Sequence, residues 1–523
     1  YPTKLKGMSR IPTLAQTWRA GSGVSGLLFS ASHARPDAVF LEDRHGNVMS
    51  FSEAEAQVRS LAGFLTESGV KRGDRVAIHL QNRVEVAIAL FAVAETGASY
   101  VVLNSRLKPR GLEKILCQAE PAAIIFDDST APNLVGVGGI PTRIKVGEGA
   151  EENTTPWSEA ISHPHLEGGW KGCDLDPACL VFTSGSTGTP RGVTLSHDNI
   201  CYVVGAIQER LNYRAGDTIG CFLPLAFDYG LYQIFLAVQS GAKLYIGDPE
   251  QVGPRLPQIM KKAGITVLPG VPSLYAALIA LGRRRPLDLP DLRAITNTGE
   301  RLPPSYIEEL QGMFPDLDVF VMYGLTECKR VSIMTPDELL NHPESVGRAL
   351  SGTEVYAVNA SGERLGPGEV GELVVRGRHV AHGYWRAPEE TAKRFRKRAP
   401  EAAVELFTGD SGSVDGEGYL YFSARTDDLL KHRGNRISPV EIENEACTIE
   451  GIVEASLLKR DVDDTLHLFV TTSLPLEQDV VLRQLSEILE PAKVPEFVVL
   501  MKDMPKSMNG KIDRKELLAR LQG

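Results

Sequence analysis

The sequence lacks the features of several large protein classes. Its seven cysteines are scattered and form no Cys-x-x-Cys pair, which favours reduced thiols in a cytoplasmic protein over disulfides or a zinc site. The longest apolar run, residues 86–103, is interrupted by Glu95 and is too short to span a bilayer comfortably, and no signal peptide is visible. No basic block offsets the net charge of −10. We therefore expect neither a membrane nor nucleic acid among the partners.

The composition is that of an ordinary globular protein with more than one domain. The chain has 523 residues, of which 43% are hydrophobic and 23% are charged. Residues 75–103 have the pattern of strand, helix and strand, and this alternation recurs at 122–126 and from 199 to 247. The order predicts parallel sheets covered by helices. Residues 128–175 are rich in Gly, Pro, Thr and Glu and are predicted to form an irregular, exposed connection.

The most informative stretch is residues 182–193, Phe-Thr-Ser-Gly-Ser-Thr-Gly-Thr-Pro-Arg-Gly-Val. Its glycines allow successive backbone N–H groups to point into one concavity, and its hydroxyls and arginine add donors that suit a polyphosphate. The spacing fits neither G-x-x-x-x-G-K-[ST] nor G-x-G-x-x-G. On composition alone, these residues could equally form a surface loop of small polar residues that binds no ligand. The candidate phosphate ligands are Thr183, Ser184, Gly185, Ser186, Thr187, Gly188 and Arg191.

Residues 182–193 resemble the phosphate loop of the AMP-forming adenylating enzymes, which include acyl-CoA synthetases, luciferases and the adenylation domains of peptide synthetases. We call these residues the phosphate loop. Further motifs of that superfamily recur in the same order as far as Lys511, so the resemblance covers nearly the whole chain. It is closest to the stand-alone amino-acid adenylation enzymes. Arg191 departs from the pattern, because the superfamily usually has lysine there, and we expect the dynamics of the loop to differ more than its ligand.

The resemblance implies an α/β fold in two domains. Residues 8–424 would form a large N-terminal adenylation domain of parallel and mixed sheets covered by helices. Residues 425–428 would form a hinge with Asp427 at its pivot, and residues 429–523 a small mobile α+β domain at the C-terminus. A short polar hinge suits a large rotation of the small domain, because few contacts resist it.

The block Tyr323-Gly324-Leu325-Thr326-Glu327 resembles the Tyr-Gly-x-Thr-Glu motif of the superfamily. The resemblance implies that the tyrosine stacks on adenine, that the threonine touches the α-phosphate of ATP and that the glutamate holds Mg²⁺. Magnesium takes hard oxygen ligands and keeps several waters, so one carboxylate and phosphate oxygens suffice. Peptide-synthetase domains usually have proline at the position of Leu325, where this chain is closer to the acyl-CoA synthetases.

Other nucleotide ligands and the catalytic lysine are assigned by the same resemblance. Without the resemblance, residues 298–300 could equally be a strand end with a glycine turn, and Lys511 could be an ordinary surface lysine. The residues are Thr298, Gly299 and Glu300 against the adenine, Asp410 and Arg425 at the ribose, and Lys511 as the catalytic lysine of adenylation.

The acid pocket is expected around Phe227-Asp228. A single aspartate in an apolar run is either a helix cap or solvated turn, or a buried carboxylate that awaits a cation. In amino-acid adenylating relatives, Phe-Asp at this point supplies the carboxylate that binds the ammonium of the substrate. The resemblance also implies that Ile295 and Asn297 face this pocket.

Lys329 and Arg330 follow the magnesium motif directly. They are either a solvated edge or the partners of a second carboxylate on the substrate, as in relatives that activate β-amino acids such as 3-methylaspartate. An ammonium at Asp228 and a carboxylate at Lys329 or Arg330 would together select a dicarboxylic amino acid.

The resemblance implies a ligase that works in two half-reactions. ATP and a small carboxylic or amino acid first form an acyl-AMP and pyrophosphate, and the acyl group then passes to a phosphopantetheine thiol near Lys431, Arg433 and Gly434. No carrier domain follows Lys515 in the sequence, which favours a free-standing enzyme that loads a separate carrier protein. An acyl-CoA synthetase that uses an aryl or fatty acid is the alternative. A silent nucleotide-binding protein and a luciferase-like oxygenase are weaker options.

Overall fold

A computed structural model describes most of the chain. The described residues are 23–149, 151–165, 172–184, 190–399, 402–425, 430–432, 435–437, 439–460, 462–463, 465–489, 491, 493–508 and 510–522.

Within these ranges, strands and helices alternate along much of the sequence. The strands are β1 (Val39–Asp43), β2 (Val48–Ser50), β3 (Arg75–His79), β4 (Ser99–Val102), β5 (Ala123–Asp127), β6 (Thr142–Val146), β7 (Thr155–Pro156), β8 (Pro177–Ser184), β9 (Pro190–Ser196), β10 (Thr218–Cys221), β11 (Lys243–Ile246), β12 (Val267–Gly270), β13 (Ala294–Asn297), β14 (Asp318–Tyr323), β15 (Ser332–Met334), β16 (Arg348–Ala349), β17 (Glu354–Val358), β18 (Gly371–Arg376), β19 (Phe395–Arg396), β20 (Glu405–Val414), β21 (Leu420–Arg425), β22 (Leu430–His432), β23 (Asn435–Ile437), β24 (Ile452–Arg460), β25 (Thr465–Thr472) and β26 (Phe497–Met501). The helices are α1 (Ser25–Ala34), α2 (Phe51–Glu67), α3 (Val84–Thr96), α4 (Pro109–Ala119), α5 (Trp157–Ala160), α6 (His197–Leu211), α7 (Asp228–Ser240), α8 (Leu256–Ala263), α9 (Pro272–Arg284), α10 (Pro304–Met313), α11 (Pro336–Leu339), α12 (Pro388–Arg394), α13 (Pro439–Thr448), α14 (Gln478–Ile488) and α15 (Arg514–Gln522).

Two mostly parallel sheets form the larger part of the fold. One has the strand order β16-β15-β14-β13-β12-β10-β11-β1-β2, and the other has the order β7-β6-β5-β3-β4-β8-β9. Among the described strands of these two sheets, the pairs β1-β2, β14-β15, β15-β16 and β8-β9 are antiparallel. The central strands are apolar, as parallel strands covered on both faces require, and helix α3 is buried along almost its whole length. The predicted strand–helix–strand alternation of residues 75–103 is confirmed by β3, α3 and β4.

The prediction for residues 128–175 is wrong in part. This segment contains β6, which pairs in parallel with β5, and Ile144 on β6 is fully buried. It also contains β7 and α5, where Trp157 packs into the main core. The Gly- and Pro-rich composition gave no clear pattern for these short elements. Each needs only a few apolar residues, because the neighbouring sheet supplies the rest of the core.

The rest of the chain forms smaller sheets with cores of their own. Strands β17, β18, β20, β19 and β21 make an antiparallel sheet, and a hairpin joins β20 to β21. Strands β24, β25 and β26 form a three-stranded sheet. Helices α13 and α14 pack on that sheet around Ile442, Val481 and Leu485, each of which is fully buried. This C-terminal part therefore has its own hydrophobic core.

The candidate site lies at the carboxyl ends of the central strands of the nine-stranded sheet. Strands β12, β13 and β14 run in parallel, and Gly270 lies beside Asn297, which in turn lies beside Val321. The chain leaves all three strands at this edge. Open parallel sheets bind their ligands outside the carboxyl ends of the strands, since the connecting loops converge there.

Candidate active site

A tight turn after β14 places the cations of the site. Lys329 N donates to Leu325 O at 2.7 Å, and Lys329 has φ +65°, a left-handed conformation that costs free energy for a residue other than glycine. Gly324 allows this turn, because a Cβ there would lie 2.1 Å from Lys329 O. The glycine of the Tyr-Gly-x-Thr-Glu motif is therefore required by a backbone contact.

The expected adenine and ribose residues meet in the structure. The Tyr323 hydroxyl donates a 2.7 Å hydrogen bond to Asp410 Oδ2, across 87 positions of sequence, and both residues are buried. Asp410 N in turn donates to Thr408 Oγ1 at 3.0 Å. Arg425 ends β21 and pairs in register with Asp410. An aromatic ring beside an acceptor-only carboxylate suits a nucleoside.

Glu327 is held from two sides. Its Oε1 accepts a 2.6 Å hydrogen bond from the Tyr384 hydroxyl and lies 3.7 Å from an Arg394 guanidinium nitrogen. Burial raises the pKa of Tyr384, and the charge of Glu327 raises it further, so the hydroxyl stays a donor. A single oriented carboxylate fits a Mg²⁺ ion that takes its other ligands from phosphate and water.

The phosphate loop is described at its two ends. Thr183 on β8 pairs with Arg191 on β9, so the two strands form the arms of the loop. The Arg191 guanidinium lies 3.0 Å from Glu390 Oε2 and 5.6 Å from the centre of the Tyr384 ring. Other predicted residues lie outside the described residues. They are Gly185, Ser186, Thr187 and Gly188 of the loop, Asp427 of the hinge, and Arg433 and Gly434 of the thiol entry.

Lys511 reaches the site from the C-terminal part of the chain. Its Nζ donates a 3.1 Å hydrogen bond to Gly299 O and lies 5.6 Å from the centre of the Phe227 ring. Gly510 O also accepts a 3.0 Å hydrogen bond from Ser273 Oγ. Burial raises the pKa of the Glu300 carboxyl, while the charge of Lys511 works in the opposite direction. The structure thus brings Lys511 beside residues predicted to bind both the adenine and the acid.

Asp228 is a buried carboxylate with a cation beside it. It is the first residue of α7, and its Oδ2 lies 3.5 Å from Lys329 Nζ. Both side chains are almost fully buried, at 7% and 2% exposed. Burial alone would raise the pKa of Asp228, but Lys329, Arg330 and Lys511 outweigh burial and hold the pKa below its ordinary value. Asp228 therefore stays ionised at neutral pH.

Arg330 is buried without a carboxylate partner among the described residues. It is 6% exposed, its Nε makes no hydrogen bond there, and one terminal nitrogen donates to Lys329 O at 2.8 Å. Its guanidinium lies 4.7 Å from the centre of the Tyr229 ring. A buried cation without an anion in direct contact is costly, so this guanidinium is a candidate anion ligand.

Asn297 is another buried polar side chain without a hydrogen-bond partner among the described residues. It is fully buried at the end of β13, and neither its amide nitrogen nor its amide oxygen forms a hydrogen bond within the described part of the chain. The Tyr229 ring lies against the Arg330 guanidinium, and the Tyr229 hydroxyl forms a hydrogen bond with Thr296, the residue before Asn297. Ile295 is fully buried in an apolar cluster, and Thr298 is also buried. The residues expected to bind the acid therefore include a buried amide, a buried carboxylate and two buried cations.

Three residues of this arrangement were not predicted to bind or to orient a ligand. Tyr384 lies in a Gly-Tyr-Trp motif that could have drawn attention, but its bond to Glu327 spans 57 positions of sequence. Glu390 and Arg394 lie in a short polar helix that has no motif of its own. Only the folded chain shows their contacts.

The profile of the family described as AMP-binding enzyme matches residues 28–385. The chain belongs to the AMP-binding enzyme family. The resemblance stated for the sequence is thereby confirmed: the chain is an adenylating enzyme of this family, and curated relatives that it matches are synthetases.

Curated relatives of this AMP-binding enzyme are long synthetases. Delta-poly-L-ornithine synthetase of Acinetobacter baumannii is 31% identical over 493 residues, which cover 90% of this chain and 35% of that protein. Enterobactin synthase component F of Escherichia coli is 29% identical, over 94% of this chain and 39% of that protein. The chain thus spans well under half the length of these relatives.

Solved structures share the fold over most of the chain. VinN is 33% identical with a TM-score of 0.70, over 77% of this chain and 99% of VinN, and a complex of VinN with L-aspartate is similar at 32% identity. The anthranilate CoA ligase AuaEII in complex with anthranoyl-AMP gives a TM-score of 0.88 at 23% identity, over 97% of this chain and 99% of that chain. These likenesses confirm the predicted α/β fold with a large N-terminal and a small C-terminal domain. No helix among the described residues is long and apolar enough to cross a membrane.

Proposed function

We propose that this AMP-binding enzyme adenylates a dicarboxylic amino acid with ATP and transfers it to the phosphopantetheine thiol of a carrier protein. The observation that carries the proposal is the buried guanidinium of Arg330, which has no carboxylate partner among the described residues. Asp228 already has Lys329 as a neighbour, so Arg330 is the cation left for an anionic group of the substrate. A fatty acid would leave the buried charges of Lys329 and Arg330 with only the carboxylate of Asp228 to compensate them.

Asp228 would bind the ammonium group of such a substrate. Its carboxylate is held ionised by surrounding cations, and a carboxylate has two oxygens with several acceptor positions. The substrate ammonium would therefore share Asp228 with Lys329. The complex of VinN with L-aspartate supports this choice, because L-aspartate carries one ammonium and two carboxylates. We use L-aspartate as the probe substrate for this reason.

In the first half-reaction, a substrate carboxylate oxygen attacks the α-phosphorus of ATP, and the bond to pyrophosphate breaks. The barrier arises from bringing two anions together, so positioning and positive charge are the main contributions of the protein. Lys511 lies near Phe227, Asp228 and Gly299, where it would bridge the acid and the α-phosphate. Thr326 would bind the α-phosphate, and Arg191 the departing pyrophosphate. Glu327 would hold Mg²⁺, which supplies further positive charge at the phosphates when bound.

In the second half-reaction, the small domain would turn about Asp427 and withdraw Lys511 so that a thiol can attack the acyl-AMP. The sulfur forms a thioester with the acyl carbon, and AMP leaves. We propose a carrier protein as the donor of this thiol, and the peptide-synthetase relatives support that choice. CoA is the second candidate acceptor, because solved structures of the same fold include CoA ligases. Thioester formation with equal amounts of CoA and of a phosphopantetheinylated carrier protein distinguishes them.

Replacement of Arg330 tests the second carboxylate. Arg330→Gln should lower kcat/KM for L-aspartate in pyrophosphate exchange by about 10–100-fold, since a charge-assisted hydrogen bond contributes about 1.5–3 kcal/mol. L-alanine and β-alanine, which each lack one carboxylate of aspartate, should not lose rate to the same extent. Arg330→Lys should restore part of the L-aspartate activity, because it keeps the charge.

Arg348→Gln is the matched control for that experiment. Arg348 also lies over a tyrosine ring, that of Tyr419, but it is exposed on β16. The control should leave all three substrates unaffected. Equal losses for L-aspartate, L-alanine and β-alanine in Arg330→Gln would refute the second-carboxylate role.

A further inference from the structure

Helix α12 contacts two charged groups of the candidate active site through side chains one turn apart. Glu390 Oε2 lies 3.0 Å from a guanidinium nitrogen of Arg191. Arg394, four residues later and on the same face of the helix, lies 3.7 Å from Glu327 Oε1 and donates a 3.1 Å hydrogen bond to Thr408 O. One short helix therefore touches both the cation of the phosphate loop and the carboxylate expected to hold Mg²⁺.

Glu390 is carried on a firmly anchored backbone. Thr391 Oγ1 accepts a hydrogen bond from Tyr384 N at 2.9 Å and donates one to Ala387 O at 2.8 Å. The helix lies close to Gly383, where a Cβ would be 2.3 Å from Thr391 Cγ2. Gly383 O accepts a 2.9 Å hydrogen bond from Thr194 N of β9, the strand that also carries Arg191. Helix α12 and Arg191 thus share one backbone framework.

The Arg191 side chain is restrained on two sides. Glu390 binds one guanidinium nitrogen, and the face of the Tyr384 ring lies 5.6 Å from the guanidinium carbon. The other oxygen of Glu390 lies 2.6 Å from Lys393 Nζ, so two cations offset the negative charge of Glu390. A long side chain that is already oriented loses less conformational entropy when phosphate oxygens bind it.

We propose that Glu390 is a positioning residue for ATP, which orients Arg191 toward the β- and γ-phosphates. This inference rests on the proposed function, because it takes the phosphate loop as the site of the polyphosphate. AMP has neither of these phosphates. Loss of the Glu390 carboxylate should therefore weaken the binding of ATP and leave the binding of AMP unchanged.

Calorimetric titration of the full chain with MgATP and with AMP tests the proposal without any acid substrate. Glu390→Gln should weaken MgATP binding about 5-fold, the scale of a partly exposed ion pair. Glu389→Gln is the matched control, because Glu389 is exposed on the same helix and should change neither affinity. In an Arg191→Gln background, Glu390→Gln should have no further effect, since its partner is gone.

Three results would overturn the proposal. Equal weakening of MgATP and AMP would indicate a structural role, independent losses in the double variant would show that Glu390 acts without Arg191, and tighter MgATP binding would show that Glu390 competes with phosphate. Failure of the proposed function is separable from these results. It would appear as absent pyrophosphate exchange with L-aspartate in a wild-type chain that binds MgATP.

Discussion

Lys511→Ala is expected to reduce acid-dependent pyrophosphate exchange into ATP by about 10²–10³-fold, the loss seen when an oriented charge or donor is removed from a developing anion. The physical reason lies in the contacts of Lys511. Its ammonium lies beside Gly299 O and the Phe227 ring, and its charge lowers the pKa of the buried Asp228. These contacts place it between the expected sites of the adenine and the acid. Without this cation, the carboxylate and the α-phosphate would meet with less compensation of their charges.

The same variant should transfer a preformed acyl-AMP to the thiol at nearly the wild-type rate. Lys511 would be withdrawn in the second half-reaction, so synthetic L-aspartyl-AMP and a phosphopantetheinylated carrier protein measure a step that does not use it. Lys515→Ala is the control, because Lys515 is exposed on α15, four residues away, and should affect neither step. Equal losses in exchange and transfer would contradict the alternation of two domain positions.

Local sequence was sufficient for the strand, helix and strand of residues 75–103. Strand β3, helix α3 and strand β4 were predicted within a residue or two, since their apolar runs are long and bounded by turn residues. Strand β6 was missed, because only Ile144 and Val146 of its five residues are buried. Its formation depends on parallel pairing with β5. Short elements of this kind are stabilised by tertiary contacts, which a sequence pattern does not contain.

The site was predictable where motifs are continuous and less so where partners are distant. The motif around Tyr323 and the position of Asp228 could be read from the sequence, but the pairing of Asp228 with Lys329 could not. That pair depends on the left-handed turn at Lys329, which Gly324 permits. The sequence suggested that Lys329 or Arg330 could meet a second carboxylate. We propose Arg330 for this role, because Lys329 Nζ already lies 3.5 Å from a carboxylate oxygen of Asp228.

Asp228→Asn is expected to have two separate effects. It should lower the free energy of unfolding by about 3–5 kcal/mol, because removal of one partner leaves the ammonium of Lys329 buried without its counter-ion. It should also abolish pyrophosphate exchange with L-aspartate, because the substrate ammonium loses its carboxylate. Urea unfolding and the exchange assay measure the two effects. Asp288→Asn is the control, since the Lys261–Asp288 pair is exposed and should contribute at most about 1 kcal/mol.

A double variant separates the role of Asp228 in stability from its role in substrate binding. In Asp228→Asn/Lys329→Met, neither side chain is charged, so most of the lost stability should return, as it does when a buried ion pair is replaced as a whole. Activity with L-aspartate should stay lost, because the ammonium would still face a neutral pocket. Recovery of both properties would mean that Asp228 serves only to neutralise Lys329. Recovery of stability without recovery of activity would show that the Asp228 carboxylate binds the substrate. In this variant residue 329 has no charge and needs no counter-ion, so the remaining loss of activity cannot come from an unpaired Lys329.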